Sequence, residues 1–226
     1  MGGYLNLVLA SLAFVGSHFA MSHNLRPAMV RLFGRNAFMA VYSLISLAAL
    51  IWMVIAYRAV PAGTVYWPAG DILWAVSSVL TFIAAVLYSG SMSGNPALPS
   101  PGAAEYAGRM PAGVFRVTRH PMMWSFALWG FAHLLIAPRT DNFIFIGSII
   151  FLALAGAKAQ ELKKAATMGV EWEMWCRRTH YFPAITGVAS IGPWTWIIGT
   201  ALWLIATWAH GWFDVPAAGL FRWIQL

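Results

Sequence analysis

The sequence predicts an all-α, polytopic integral membrane protein of about six transmembrane helices, with both termini on the external side. Of its 226 residues, 60% are hydrophobic and only 9% are charged, which excludes an ordinary soluble domain. The apolar residues form several runs near the roughly 20 residues that a helix needs to cross the hydrocarbon core. No internal repeat or domain boundary interrupts them, so we expect residues 1–226 to form a single transmembrane domain.

The spans follow in order from the apolar runs and from the turn-forming residues between them. They cover residues 4–21, 37–57, 71–92, 121–138, 143–160 and 193–212. The cytoplasmic segment 94–119 is rich in proline and glycine, so it cannot form one continuous helix. Because this segment directly precedes the fourth span, we expect it to be ordered. The segment 161–185 begins as a polar helix, and residues 215–226 are too few to cross, which favours a position at the membrane interface.

The positive charge indicates the direction of insertion. The chain has 14 lysines and arginines against 7 acidic residues. All of these basic residues except Arg58, Arg139 and Arg222 fall in or beside the first, third and fifth loops. The positive-inside rule therefore places the odd-numbered loops in the cytoplasm. This distribution explains the net charge of +7 without a nucleic-acid partner, and it leaves the lipid bilayer as the expected partner.

Apart from His210 at the outer end of the last span, two histidines lie inside predicted spans. His18 is near the end of the first span, and His133 is well inside the fourth. An ionisable ring in hydrocarbon is unfavourable unless it is hydrogen-bonded, faces water or ligates a metal. Two imidazoles on different helices would suit the iron of a non-covalent haem b, so we predict His18 and His133 as metal ligands. The alternative is packed histidines that hydrogen-bond a neighbouring residue.

The expected depths of the two histidines do not match. Measured from the cytoplasmic ends of their spans, His18 is about 9 Å deep and His133 about 18 Å deep. Helix tilt would have to absorb the difference of about 9 Å. His120 and His23 therefore remain reserve ligands, whereas His210 has the position of an interface residue.

The sequence gives less support to a covalently attached haem or to a structural zinc site. The one cysteine, Cys176, excludes an intramolecular disulfide, and the chain has no C-x-x-C-H motif for a c-type haem. A structural zinc site takes four ligands, usually with thiolates among them, so zinc is the weaker interpretation.

A basic cluster is predicted on the cytoplasmic face. Its members are Arg116, Arg119, His120, Arg177 and Arg178. Guanidinium groups bind carboxylates and phosphates through paired hydrogen bonds, so we predict the four arginines as cofactor-binding residues for haem propionates, lipid headgroups or a nucleotide-like cosubstrate. The alternative is positive-inside charge without a ligand, neutralised by Glu161, Glu171 and Glu173. Asp71 and Asp141 begin helices, where capping explains them, and we assign neither a catalytic role.

The stretch Phe115–His133, which reads FRVTRHPMMWSFALWGFAH, resembles the NnrU family of bacterial membrane proteins. Gly94-Asn95-Pro96, the first loop from Leu25 to Gly34 and the stretch Gly169–Pro183 extend the resemblance over nearly all six spans. The family is related to the plant 15-cis-zeta-carotene isomerase, a membrane haem protein. The resemblance implies a multi-pass protein of the bacterial inner membrane and leans towards an enzyme of the isomerase type.

The resemblance also implies roles for particular residues. His18 and His133 match the histidines proposed as haem ligands in the isomerase, and His120 matches the histidine of the R-H-P motif. All three would be catalytic, His18 and His133 through the haem iron. The iron would act on a bound polyene after reduction by an unidentified electron donor. Where the isomerase has further histidines on and just after its fifth helix, this chain has apolar residues, Lys158 or Ala159.

Two other functions stay open. Arg119-His120-Pro121 and the stretch from Gly169 to Arg178 also resemble isoprenylcysteine carboxyl methyltransferases, which bind S-adenosylmethionine at the cytoplasmic face. This resemblance implies a membrane methyltransferase as the alternative enzyme. The third possibility is a non-enzymatic haem sensor or accessory protein in nitrogen-oxide metabolism, as the association of the family with denitrification suggests.

Overall fold

A computed structural model describes residues 2–100, 102–213 and 215–224. Within these ranges the chain forms α-helices and short 3-10 helices, and no β-strand. The α-helices are α1 (Gly2–Ser22), α2 (Arg26–Ala59), α3 (Asp71–Ser91), α4 (Ala103–Gly108), α5 (Pro121–Ile136), α6 (Thr140–Met168), α7 (Val170–Arg178), α8 (Pro193–Trp208) and α9 (Phe221–Ile224). The 3-10 helices cover Gly113–Arg116, Ile185–Ser190 and Ala209–Trp212. The predicted all-α class is confirmed.

Four of the described helices are long and apolar enough to cross a membrane, namely α1, α2, α3 and α6. The helices at the predicted fourth and sixth spans, α5 and α8, have 16 residues each. These lengths and compositions indicate a membrane protein, while the count of six spans and the external termini stay predictions. The helix α6 has 29 residues because the strong helix formers after residue 160 continue the predicted fifth span.

The chain divides into two compact units. Unit 1 comprises the residues up to 68 together with residues 137–152, and unit 2 comprises residues 69–136 and those from 153 onwards. Unit 1 contains the packing of α1 against α2, with Leu7, Phe14 and Met53 in its core. The helix α2 is broken at Gly34, whose φ of 77° suits a residue without a Cβ. Its second part contains the predicted span 37–57.

A polar cluster in unit 1 lies at the start of α6. Arg139 Nη2 donates to Asp141 Oδ2 at 2.8 Å and to the Tyr57 hydroxyl at 3.2 Å. Tyr57 donates to Asn142 Oδ1 at 2.6 Å, and the Gly63 N–H donates to Asp141 Oδ1 at 3.3 Å. We call Arg139, Asp141, Tyr57 and Asn142 the Arg139 cluster. Asp141 is 2% exposed, so it has the structural role that its helix-start position predicts.

Unit 2 is organised around α3, which packs against both α5 and α8. The helix α4 packs against α7, and the 3-10 helices Gly113–Arg116 and Ile185–Ser190 pack against each other. A Cβ on Gly187 would overlap the Arg116 carbonyl, so the absence of a side chain permits this close approach. The described part of the segment 94–119 is therefore folded against the rest of unit 2, in agreement with the expectation that it is ordered.

The last described helix, α9, attaches to the start of α3. Arg222 Nη2 lies 3.2 Å from Asp71 Oδ1, and the Arg222 guanidinium carbon lies 4.3 Å from the centre of the Trp74 ring. This ion pair gives Asp71 a structural partner in addition to its place in the first turn of α3.

Candidate functional site

The Arg119–His120 motif is held in place by a segment that follows α7. The Arg119 N–H donates to the His180 carbonyl at 2.8 Å, and the Thr118 hydroxyl donates to the Tyr181 carbonyl at 2.7 Å. The Trp124 indole donates to the same Tyr181 carbonyl at 2.8 Å. These bonds fix the start of α5 and thereby the position of both motif side chains.

Glu161 of α6 binds both side chains of the motif. Arg119 donates from Nε to Oε1 at 2.7 Å and from Nη2 to Oε2 at 3.0 Å, a paired geometry typical of strong arginine–carboxylate interactions. His120 Nε2 lies 2.5 Å from the same Oε1. The side chain of His120 is fully buried, and those of Arg119 and Glu161 are 13% and 15% exposed. We call these three residues the Glu161 cluster.

The bond to Glu161 determines which nitrogen of His120 carries the proton. An ionised carboxylate only accepts hydrogen bonds, so Nε2 is the donor. In the neutral ring, Nδ1 then holds the lone pair, and Nδ1 is buried without a hydrogen-bond partner among the described residues. An imidazole that is backed by a carboxylate in this way can accept a proton or ligate a metal through its other nitrogen.

His120 lines a narrow crevice, too small to hold a water molecule, together with Asn95, Met122, Met123 and Gln160. Gln160 Oε1 is a second buried polar atom that has no partner within the described ranges. An unmet polar group of this kind costs about 1–3 kcal/mol, so two of them beside one crevice require an explanation. A proton shared between these two atoms would satisfy both, whereas the crevice as it stands has no room for a larger polar group.

Two further side chains next to the Glu161 cluster, those of Cys176 and Tyr181, have raised pKa values. Burial and the Glu161 charge raise the pKa of the Cys176 thiol, whose sulfur lies 3.8 Å from Glu161 Oε2. Burial and the same charge raise the pKa of the Tyr181 phenol. Both groups are therefore neutral at pH 7, and Cys176 is poorly suited to act as a nucleophile.

The remaining members of the predicted basic cluster have separate surroundings. Arg177 pairs with Glu173 at 2.6 Å one turn earlier on α7, and both side chains are exposed. Arg178 donates to backbone carbonyls at the end of α4. Arg116 is exposed. The expected neutralisation by acidic residues is observed at Glu161 and Glu173, and the assignment of the four arginines to a cofactor stays a prediction.

The two histidines predicted as haem ligands share one local geometry. His18 Nδ1 lies 2.7 Å from the Phe14 carbonyl, and His133 Nδ1 lies 2.7 Å from the Trp129 carbonyl. Because a carbonyl only accepts, Nδ1 carries the hydrogen in each neutral ring and Nε2 carries the lone pair. His18 belongs to unit 1 and His133 to unit 2.

His210 has a neighbour that the sequence interpretation missed. Its Nδ1 lies 2.9 Å from the Ala206 carbonyl, and its ring lies beside that of His133 with 6.3 Å between the ring centres. The sequence assigned His210 to the membrane interface. The signal that could have paired it with His133 is topological, because the predicted fourth and sixth spans run in the same direction and both histidines lie in the outer halves of those spans.

Comparison with known proteins establishes the family over most of the chain. The family model described as NnrU protein matches residues 6–217. The chain belongs to the NnrU family. Comparisons with curated proteins and with solved structures found no match. The matched part of this NnrU-family chain includes all six of its histidines, His18, His120, His133 and His210 among them.

Two observations bear on the predicted metal group of this NnrU-family chain. The described residues contain no group of three or more His, Cys, Asp and Glu side chains that could hold a metal ion, as a structural zinc site would require. A porphyrin supplies most ligands itself and asks the protein for one or two axial groups. A histidine that ligates a metal usually has one ring nitrogen hydrogen-bonded, which fixes the ring, and the other nitrogen free to bind. His18 and His133 both have a bonded Nδ1 and a free lone pair on Nε2.

Proposed function

We propose that this NnrU-family protein binds b-type haem, which His133 would hold through its iron. The observation that carries the proposal is the bond from His133 Nδ1 to the Trp129 carbonyl, since it leaves Nε2 as the basic nitrogen in an apolar helix. His18 is the second ligand that the sequence predicts, and its bond to Phe14 gives it the same tautomer. An imidazole within a membrane helix is energetically unfavourable unless its free nitrogen binds a metal or another polar group.

The surrounding residues would hold and shield the group. The Trp129 ring centre lies 4.4 Å from that of His133, so the indole packs against the imidazole and limits its rotation. The predicted propionate partners include Arg116, whose exposed side chain can reach a carboxylate. When bound, haem supplies an iron that changes oxidation state. His120 would accept protons through Nδ1 while Nε2 stays on Glu161.

The proposed reaction is the redox-gated cis–trans isomerisation of a polyene, in a bacterial inner membrane and with an electron donor that is still to be found. Unit 1 has an apolar groove of about 300 Å³. Side chains of α1 and of the first half of α6 line it, including Leu12 and Phe143, and the hydroxyls of Ser11 and Ser148 are its main polar groups. A groove of this composition suits a chain without charges.

The methyltransferase alternative receives less support from the same side chains. In the R-H-P motif, both the Arg119 guanidinium and His120 Nε2 are engaged by Glu161. Recognition of S-adenosylmethionine by Arg119 would have to compete with a buried, paired ion bond. We therefore retain haem binding as the proposed function.

Absorption spectra of the purified protein, oxidised and reduced, test the haem proposal. After haem-replete expression we expect a Soret band in the wild type and in the control His180→Ala, whose imidazole is exposed. In His133→Ala the band should be lost or strongly shifted. Absence of a Soret band in the wild type, or an unchanged spectrum in His133→Ala, would contradict the proposal.

The isomerase activity needs its own measurement. Membranes containing the wild type are incubated with 15-cis-zeta-carotene under reducing and under oxidising conditions, and the isomers are separated by chromatography. We expect conversion only under reducing conditions and none with His133→Ala. Haem binding without conversion under either condition would reject the isomerase and favour a sensor or accessory role.

A further inference from the structure

His133 and His210 are 77 positions apart in sequence but adjacent within unit 2. Their ring centres are 6.3 Å apart and their ring planes are inclined by 24°. His133 lies one turn before the end of α5, and His210 lies in the 3-10 helix that continues α8. Both helices pack against α3, which fixes the two rings relative to each other.

Both rings offer the same nitrogen. His133 Nδ1 donates to the Trp129 carbonyl and His210 Nδ1 donates to the Ala206 carbonyl, each four residues earlier. The Nε2 lone pair of each neutral ring is therefore left for an external partner. Two neutral imidazoles with free Nε2 lone pairs on adjacent rings are a suitable ligand pair for one metal ion, which accepts electron pairs from both.

The separation of the rings matches this requirement. Two imidazoles on opposite sides of one metal ion, each bound at about 2 Å, have ring centres roughly 6 Å apart. The observed 6.3 Å agrees with that distance. By contrast, the helix positions of His18 and His133 predict depths that differ by about 9 Å.

We propose that His210, rather than His18, is the second axial ligand of the iron that His133 holds. The inference rests on the proposed function, because it takes His133 as a haem ligand. It makes the matched histidine of the first span dispensable for ligation and assigns the pair to one compact unit. His18 then keeps its bond to Phe14 and its edge contact with Tyr42 as a packed residue of unit 1.

Electron paramagnetic resonance and absorption spectra of the ferric protein test the inference without any activity assay. With two imidazole ligands the wild type should be low-spin. His210→Ala should convert most of the haem to the high-spin form, and added imidazole should restore the low-spin spectrum. His210→Phe keeps a ring next to His133 but removes the nitrogen, so it should also be high-spin. His18→Ala should remain low-spin.

The outcomes separate this inference from the proposed function. A low-spin spectrum in His210→Ala together with a high-spin spectrum in His18→Ala would overturn the inference and keep haem binding. Failure of imidazole to restore the low-spin form would also count against ligation by His210. A wild type without a Soret band would overturn the proposed function and the inference together.

Discussion

Two buried polar clusters, one in each unit, are built from the same kinds of side chain. In each, an arginine forms an ion pair with a carboxylate, Arg139 with Asp141 at 2.8 Å and Arg119 with Glu161 at 2.7 Å. Each cluster also joins a helix to a segment that is distant in sequence. The clusters differ in the polar atoms that lie next to the ion pair.

In the Arg139 cluster, the neighbouring side chains use their polar atoms. Tyr57 donates to Asn142 Oδ1 at 2.6 Å, and Asn142 Nδ2 donates to the Ala137 carbonyl at 2.6 Å. Beside the Glu161 cluster, His120 Nδ1 and Gln160 Oε1 are buried without partners among the described residues. Selection for stability alone favours the first arrangement. The comparison therefore favours a structural role for the Arg139 cluster. Next to the Glu161 cluster, His120 Nδ1 and Gln160 Oε1 remain able to form a further hydrogen bond or to exchange a proton.

The largest effect is expected for Glu161→Gln. The substitution leaves Arg119 and His120 buried without a carboxylate, which should lower the free energy of unfolding by about 3–5 kcal/mol. The control Glu173→Gln removes an exposed ion pair and should change it by less than about 1 kcal/mol. Unfolding by sodium dodecyl sulfate in mixed micelles measures both. Equal losses in the two variants would show that burial does not determine the energy of these pairs.

A smaller loss is expected for Asp141→Asn in unit 1. Arg139 is 25% exposed and can regain water, so the free energy of unfolding should fall by about 1–3 kcal/mol. The same micelle titration measures it. A loss as large as that of Glu161→Gln would mean that the two clusters do not differ in the way described above.

Gln160→Leu should be neutral or should stabilise the protein by up to about 1 kcal/mol. The substitution removes a buried oxygen that has no partner among the described residues, and leucine fills a similar volume with an apolar side chain. The matched control is Asn142→Leu, which removes two hydrogen bonds and should cost about 1–3 kcal/mol. If Gln160→Leu is as destabilising as the control, Gln160 Oε1 has a partner in solution, and the crevice is part of the structural framework.

The smallest effect concerns the reactivity of Cys176. Because burial and the Glu161 charge raise the pKa of the thiol, little thiolate is present at pH 7.5 and alkylation by iodoacetamide should be slow. At pH 9 the rate should still rise more steeply with pH than that of an exposed thiol, because a smaller fraction of the buried thiol is ionised there. Ala166→Cys in a Cys176→Ser background supplies an exposed thiol as control. Matching pH profiles for the two thiols would contradict the expected shift.

The helices could be predicted from the sequence because each apolar run has its own boundary residues. The starts of α3, α5 and α8 coincide with the predicted spans, at Asp71, Pro121 and Pro193. The predicted fifth span ends at residue 160, whereas α6 continues to Met168. Hydropathy marks the end of the apolar residues, and a helix can continue beyond them with polar residues. Gly169 ends this helix with a φ of 58°.

The candidate site could be predicted only as a set of residues. The R-H-P motif marked Arg119 and His120, but their carboxylate partner lies 42 and 41 positions away in sequence. Neither composition nor local spacing contains information about which of Glu161, Glu171 and Glu173 would approach the motif. For the same reason, the sequence could not show that His210 lies beside His133, because the two are brought together by the packing of α5 and α8 on α3.

The pairing of residues 117–119 with residues 180–184 also affects how the chain is made. The backbone N–H of Arg119 bonds to the His180 carbonyl, and that of Ala184 bonds to the Val117 carbonyl. Roughly 65 residues must be translated between these segments, which takes about 3–13 seconds at synthesis rates of about 5–20 residues per second. During that time Arg119 and His120 lack the segment that later holds them in place. Nascent chains halted before residue 180 would therefore expose these two residues to the quality-control proteases of the membrane.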